Sequence, residues 1–144
     1  MIEVRNLNKN HRINKKFIAK IAGEVIRILN REKFSELSIV FLSDPAIKPI
    51  NKKYRQRYRA TDVLSFDLGK YGQVLISSDT ALKNSRLFNT SFEEEIVLYV
   101  IHGILHLSGY DDETKAGKDR MSKKEEGILK RLCRKRFSKV LMPR

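Results

Sequence analysis

The sequence predicts one α+β domain over residues 1–144, with a mixed sheet of about four strands packed against about five helices. Three observations predict it. Short β-branched runs of strand length alternate with longer stretches whose apolar residues recur at helical spacing. Two of the strand runs follow one another across a glycine-containing connection, which gives the order β-α-β-α-β-β-α-α-α. The length suffices for one buried core and shows no repeat, linker or low-complexity segment.

Residues 2–5 form a short strand. Asn14 leads into a helix with Ile18, Ile21, Ala22, Val25, Ile26 and Leu29 on one stripe, and Lys16, Lys20, Glu24, Arg27 and Arg31 on the other. Leu37 to Leu42 reads as a buried strand. Ser43-Asp44-Pro45 caps the next helix, which carries Ile47, Ile50, Asn51 and Tyr54 and ends near Arg57. Thr61 to Phe66 and Gln73 to Ser77 are strands, and Gly69 and Gly72 between them favour a turn and antiparallel pairing. Ser78-Asp79 caps a short helix through Leu87. Ser91-Phe92-Glu93-Glu94 is a capping box opening the following helix, and Met121, Glu125, Ile128, Leu129 and Leu132 mark the last.

The chemistry concentrates in Val100 to Glu113. His102 and His106 stand four residues apart, and at about 100° per residue they share a helix face, about 6 Å apart along the axis. Two imidazoles so placed can grip one divalent metal. Such a pair alone is more often two ordinary histidines than a metal site. Here Gly109 ends the helix, since it can take a left-handed conformation, and Asp111, Asp112 and Glu113 follow as oxygen donors. His-x3-His-x2-Gly-x2-Asp is thus a complete three-ligand set on a helix and the turn after it. His11, far from this motif, reads as a surface residue.

Thirty Lys and Arg against seventeen Asp and Glu leave a net charge of +13, which favours a polyanionic partner, nucleic acid before an anionic membrane. The last fifteen residues, from Lys130, hold seven basic side chains and no acidic one, as either a solvated helix end or an RNA-contacting arm. The one cysteine, Cys133, excludes an internal disulfide and fits a reducing compartment. The first residues lack a signal-peptide core and no apolar run is long enough to span a bilayer, so a cytoplasmic, membrane-free protein is expected.

The run from His102 through Asp112 resembles the signature of the YbeY family of bacterial ribosomal RNA maturation factors, H-G-x-L-H-L-x-G-Y-D-H. Asn51, Tyr54 and Arg55, then Thr61-Asp62-Val63-Leu64-Ser65-Phe66, resemble the family's N-x-x-Y-R and T-D-V-L-S-F. Met121, Glu125 and Ile128 match a weaker C-terminal pattern. Three positions depart from it. Asp112 replaces the third metal-ligand histidine, Gln73 stands where the pattern has aspartate, and Ala60 replaces a proline. The resemblance implies an α+β fold, one zinc-type metal with three protein ligands, and single-strand-specific endoribonuclease activity. It also implies a role in maturing the 3′ end of 16S rRNA, with ribosomal RNA and the small ribosomal subunit as partners.

On that reading the metal ligands are His102, His106 and Asp112, with Asp111, Glu113 or water as alternatives for the third. An aspartate ligand makes the site less positive and harder than three histidines would, so bound water is less acidified and manganese or magnesium is tolerated beside zinc. Arg55 is the cation expected to stabilise phosphorane charge or hold a phosphate, with an ordinary salt bridge as its other role. Arg57, Arg59 and Lys53 extend a groove for single-stranded RNA. Gly103 stands where zincin-type proteases carry a glutamate base, which argues against peptide hydrolysis and leaves room for a bulky substrate near the helix. Asp62 and Ser65 are expected to order the strand beside the site, and Tyr110 to pack in the turn, with stacking on a base as its other role. Two other readings stay open, an RNA-binding ribosome-assembly factor with a non-catalytic metal site and a metal-dependent hydrolase of another substrate such as peptide.

Overall fold

The computed structural model describes residues 1–30, 35–55 (Arg55 by its backbone) and 62–143. Its elements run β1 (Ile2–Asn6), α1 (Lys15–Leu29), β2 (Glu36–Leu42), α2 (Asp44–Arg55), β3 (Val63–Asp67), β4 (Tyr71–Ser77), α3 (Ser78–Leu87), α4 (Phe92–Leu107) and α5 (Lys115–Arg131). A 3-10 helix (Arg134–Lys139) follows. The four strands form one sheet in the order β1-β2-β4-β3. β1, β2 and β4 are parallel, and β3 joins antiparallel as an edge strand with Val63 opposite Ile76 and Phe66 opposite Gln73. The α+β class and the element order match the expectation, with the 3-10 helix as an addition.

The two-residue period of the strands divides the core in two. Ile39, Phe41, Val63, Val74 and Ile76 face α1 and α4, which carry most of the buried apolar side chains. Val40, Leu42, Leu64 and Leu75 face the other way and pack with Ile47 of α2. β2 is therefore buried on both sides from Leu37 to Leu42, which is why its sequence is an apolar run broken only by Ser38 rather than an alternating one.

Local signals set most ends. Asn14 caps α1 by accepting from the Phe17 N–H at 3.2 Å, and Asn30 closes it in the left-handed region at φ 51°. The β3–β4 turn places Gly69 at φ +90°, whereas Gly72, expected in that turn, lies inside β4 opposite Asp67. α2 closes its described course at Arg55.

The basic tail is neither a plain helix end nor a free arm. It folds back, burying Phe137 and Val140, while Arg136 pairs both guanidinium nitrogens with Glu24 of α1 at 2.8–2.9 Å. Leu141 bridges to Ile13. Enough apolar side chains punctuate the charge for the segment to gain more by packing than by staying solvated.

Candidate metal centre

α4 is the element that places the site. Ser91 caps it by accepting from the Glu94 N–H at 3.0 Å, and Glu93, Glu94 and Glu95 fill its first turn, where they complement the helix dipole. Ten of its sixteen residues are buried between the sheet and the neighbouring helices, so its position is fixed by packing on nearly every side. At its end the Gly109 N–H donates to His106 O and the Tyr110 N–H to Leu105 O, with Gly109 at φ +100°. This is a Schellman closure, which reverses the chain three residues after the second histidine. Tyr110 is half-buried against the core, as expected of a packed turn residue.

Gly103, next to the first histidine, points into the sheet and not toward solvent. A Cβ there would lie 2.4 Å from Val74 Cγ1 and 3.2 Å from Val63 Cγ1. The Ser65 hydroxyl donates to Gly103 O at 3.0 Å. The expectation that Gly103 makes room for substrate is therefore corrected. One position past His102 is a rotation of about 100°, which turns it from the open face onto β3 and β4, and its missing side chain allows α4 to lie close on them.

His102 and His106 bring their Nε2 atoms within 3.0 Å of each other. Asp112 Oδ2 stands 3.7 Å from the first and 3.8 Å from the second. A triangle with those edges has all three corners about 2.1 Å from a common centre, which fits the 2.0–2.2 Å bonds of zinc to imidazole and carboxylate. Among the described residues this is the one group of three such side chains close enough to share an ion. The residues present thus fit a divalent metal. The Asp111 carboxylate instead accepts from the Glu113 N–H at 3.1 Å, turned back on its own loop. Gly117 of α5 holds that loop close, since a Cβ there would meet Asp111 O at 2.6 Å.

Behind the first histidine stands Glu125 of α5, whose carboxylate is hydrogen-bonded to His102 Nδ1. A carboxylate accepts only, so Nδ1 carries the proton and Nε2 is left with its lone pair toward His106 and Asp112. Burial disfavours the charged form of His102, but the hydrogen bond and charge of Glu125, with Asp62 and Asp112, outweigh it and hold its pKa above the ordinary value. The sequence placed Glu125 on the last helix without assigning it this role. A signal was present, because it is a carboxylate on the stripe of Met121, Ile128 and Leu129, where an unpaired charge would be costly.

The remaining expected site residues divide. Asp62 accepts from the Val63 N–H at 2.8 Å and, with Ser65, orders the edge strand beside the histidines, as expected. Arg55 ends α2; Arg57 and Arg59 lie outside the described residues. Gln73 faces the opposite side of the sheet from the histidines, beside Phe66 and Leu75. His11 is not a plain surface residue, since Nε2 is 3.1 Å from Asp79 Oδ1 and its ring meets Phe92 edge-on. No helix among the described residues is long and apolar enough to cross a membrane.

Comparison with known proteins agrees with this geometry. The sequence model of the family described as "Endoribonuclease YbeY" matches residues 3–133. The Endoribonuclease YbeY of Syntrophotalea carbinolica is 36% identical, with 92% of this chain and 95% of that protein covered. The one of Aquifex aeolicus is 38% identical over 77% of each. Among solved structures, the solution structure of TM1509 from Thermotoga maritima superposes with a TM-score of 0.61 at 29% identity, covering 92% of this chain and 91% of that one. With the match running across all four strands and the helix–turn that gathers the three ligand-type side chains, the chain belongs to the YbeY endoribonuclease family.

Proposed function

We propose that this chain is a metal-dependent endoribonuclease that cleaves single-stranded RNA, with ribosomal RNA of the small subunit as its substrate in the cytoplasm. The observation that carries the metal dependence is the triangle of His102, His106 and Asp112 with Glu125 behind it. Family membership supports RNA as the substrate, and the net charge of +13 independently favours a polyanion.

A divalent ion bound by those three side chains, zinc in this proposal, supplies Lewis acidity toward a phosphoryl oxygen and acidifies water. The chain's own residues do the rest. Glu125 holds His102 in the tautomer that leaves Nε2 free. Asp112, 41% exposed, marks the open side of the centre, while the histidines at 24% and 17% are backed by protein. A phosphodiester therefore enters past the carboxylate. Arg55 is the cation assigned to the charge that develops on the phosphate, with Arg57 and Arg59 as further phosphate contacts.

The test is cleavage of a single-stranded and a duplex RNA by protein whose metal content has been measured, alongside His106→Ala. Cleavage confined to the single strand, lost in the variant and lost on chelation, is expected. RNA binding without cleavage at full metal occupancy would make the chain an assembly factor. Casein digestion without RNA cleavage would make it a hydrolase of another substrate.

A further inference from the structure

The face of the sheet turned away from the metal centre is only partly covered by α2, and beside that helix lies a groove of about 430 Å³. Three large apolar side chains that the fold leaves exposed gather in it, Leu7 at 52%, Tyr54 at 58% and Leu68 at 61%. Tyr54 meets Phe66 edge to face with centroids 5.0 Å apart. Arg5 enters from β1 and Gln73 from β4, and no acidic side chain is among the described residues that line the groove. α2, which forms one wall, carries exposed Lys48 and Lys53, and the Lys53 ammonium lies 5.4 Å from the Tyr54 ring centroid.

We propose that this groove is a base-binding subsite for single-stranded RNA, holding an unpaired base outside the cleaved linkage. The proposal rests on the RNA-cleaving reading above and deepens it. Exposed aromatic rings with cations along the walls are what a single strand needs, since bases stack on the rings while the cations follow the phosphates. The volume lies within the range of small-ligand pockets, and Gln73 adds an amide able to both donate to and accept from a base edge. A duplex hides its bases from such a surface. An apolar protein segment would cover Leu7 and Leu68 but give Arg5 and Lys53 no counter-charge. The topology connects the two sites. β3 is an edge strand of the sheet, with Val63 and Ser65 turned toward α4 and Leu64 and Phe66 toward the groove, so an RNA strand crossing that edge reaches both.

The test uses the full-length protein and a fluorescein-labelled, twelve-nucleotide single-stranded RNA, read by anisotropy, with 4-thiouridine at successive positions for photocrosslinking. Tyr54→Ala and Arg5→Ala are each expected to weaken binding about tenfold, Tyr54→Phe to retain it, and crosslinks to map to Tyr54 or Phe66. Because Tyr54 is exposed, thermal melting is expected to show Tyr54→Ala folded. Wild-type affinity in Tyr54→Ala, or crosslinks confined to the α4 side, overturns the subsite while cleavage stands. Tyr54-dependent binding in a protein that never cleaves with metal bound keeps the subsite and overturns the nuclease. Absence of binding at low salt overturns both. A change in sedimentation of Tyr54→Ala without a change in RNA affinity overturns the subsite by assigning the groove to a second copy of this chain.

Discussion

The Glu125 carboxylate on α5 accepts the His102 Nδ1 proton across the α4–α5 interface, so a residue twenty-three positions downstream sets the tautomer of a histidine in the candidate metal centre. Partners of this kind change metal affinity by about 10–100-fold. Glu125→Ala is therefore expected to lower zinc affinity by about that factor in calorimetric titration, with helical circular dichroism unchanged. Glu125→Gln retains an acceptor oxygen and is expected to lose less. Equal affinity in wild type and Glu125→Ala would show that His102 needs no such support.

Asp112 is expected to count as a full ligand. Asp112→Ala should weaken metal binding about as much as His106→Ala, and Asp112→His should keep three ligands and raise preference for zinc over manganese, imidazole being softer than carboxylate. Competition of the two metals for each variant measures this. Unchanged affinity in Asp112→Ala would hand the third position to a neighbour or to water.

Gly103→Ala sets two effects against each other. Alanine favours a helix interior over glycine by about 1 kcal/mol. Its Cβ, however, would sit 2.4 Å from Val74 Cγ1, and overpacking of a core typically costs about 1–3 kcal/mol. Both Val74 methyls and Val63 crowd the position, so net destabilisation is expected in urea unfolding. A more stable Gly103→Ala would mean that α4 can lift from the sheet without cost.

Acid stability should reveal the carboxylate where α2 meets α3. Burial raises the Asp44 pKa, but hydrogen bonds from Lys83, Ser77 and Thr80 outweigh it, and the result lies below the ordinary 3.8. Because the folded value is the lower one, the unfolded chain binds the proton first. The stabilisation is present above about pH 3.8 and disappears as pH falls through the folded value. The stability difference between wild type and Asp44→Asn should be constant near neutrality and shrink below that point, measured by urea unfolding across pH. A difference that persists unchanged at pH 2 would remove the charge from the explanation.

RNA affinity should fall steeply with salt, the log–log slope being about −0.7 for each phosphate contact with a single strand. Anisotropy at several salt concentrations measures it. A flat dependence would show that the +13 charge is spent elsewhere, as Arg136 already is on Glu24.

Features that depend on neighbours in the chain were legible from the residues. The cap at Ser91, the i, i+4 histidines and the reversal at Gly109 are settled within about five positions, by hydrogen bonds and helical periodicity. Those three decide that two imidazoles share a face and that acidic side chains follow a turn. The element order followed from the same periodicities, since a strand and a helix place their apolar residues at different spacing.

Only the tertiary structure decided which carboxylate meets the histidines, what stands behind His102, and where the glycines are spent. Asp111 and Asp112 are chemically identical and adjacent, and the choice between them depends on how the turn lies on Gly117 of α5. Glu125 reaches His102 because α5 packs along α4, and Gly103 is required because β3 and β4 lie beneath it. The basic tail read as solvated or as an arm until Phe137 and Val140 found the core. Each of these rests on contacts between residues far apart in sequence. Local propensity carries no information about such contacts, because their free energy is gained only when whole elements pack together.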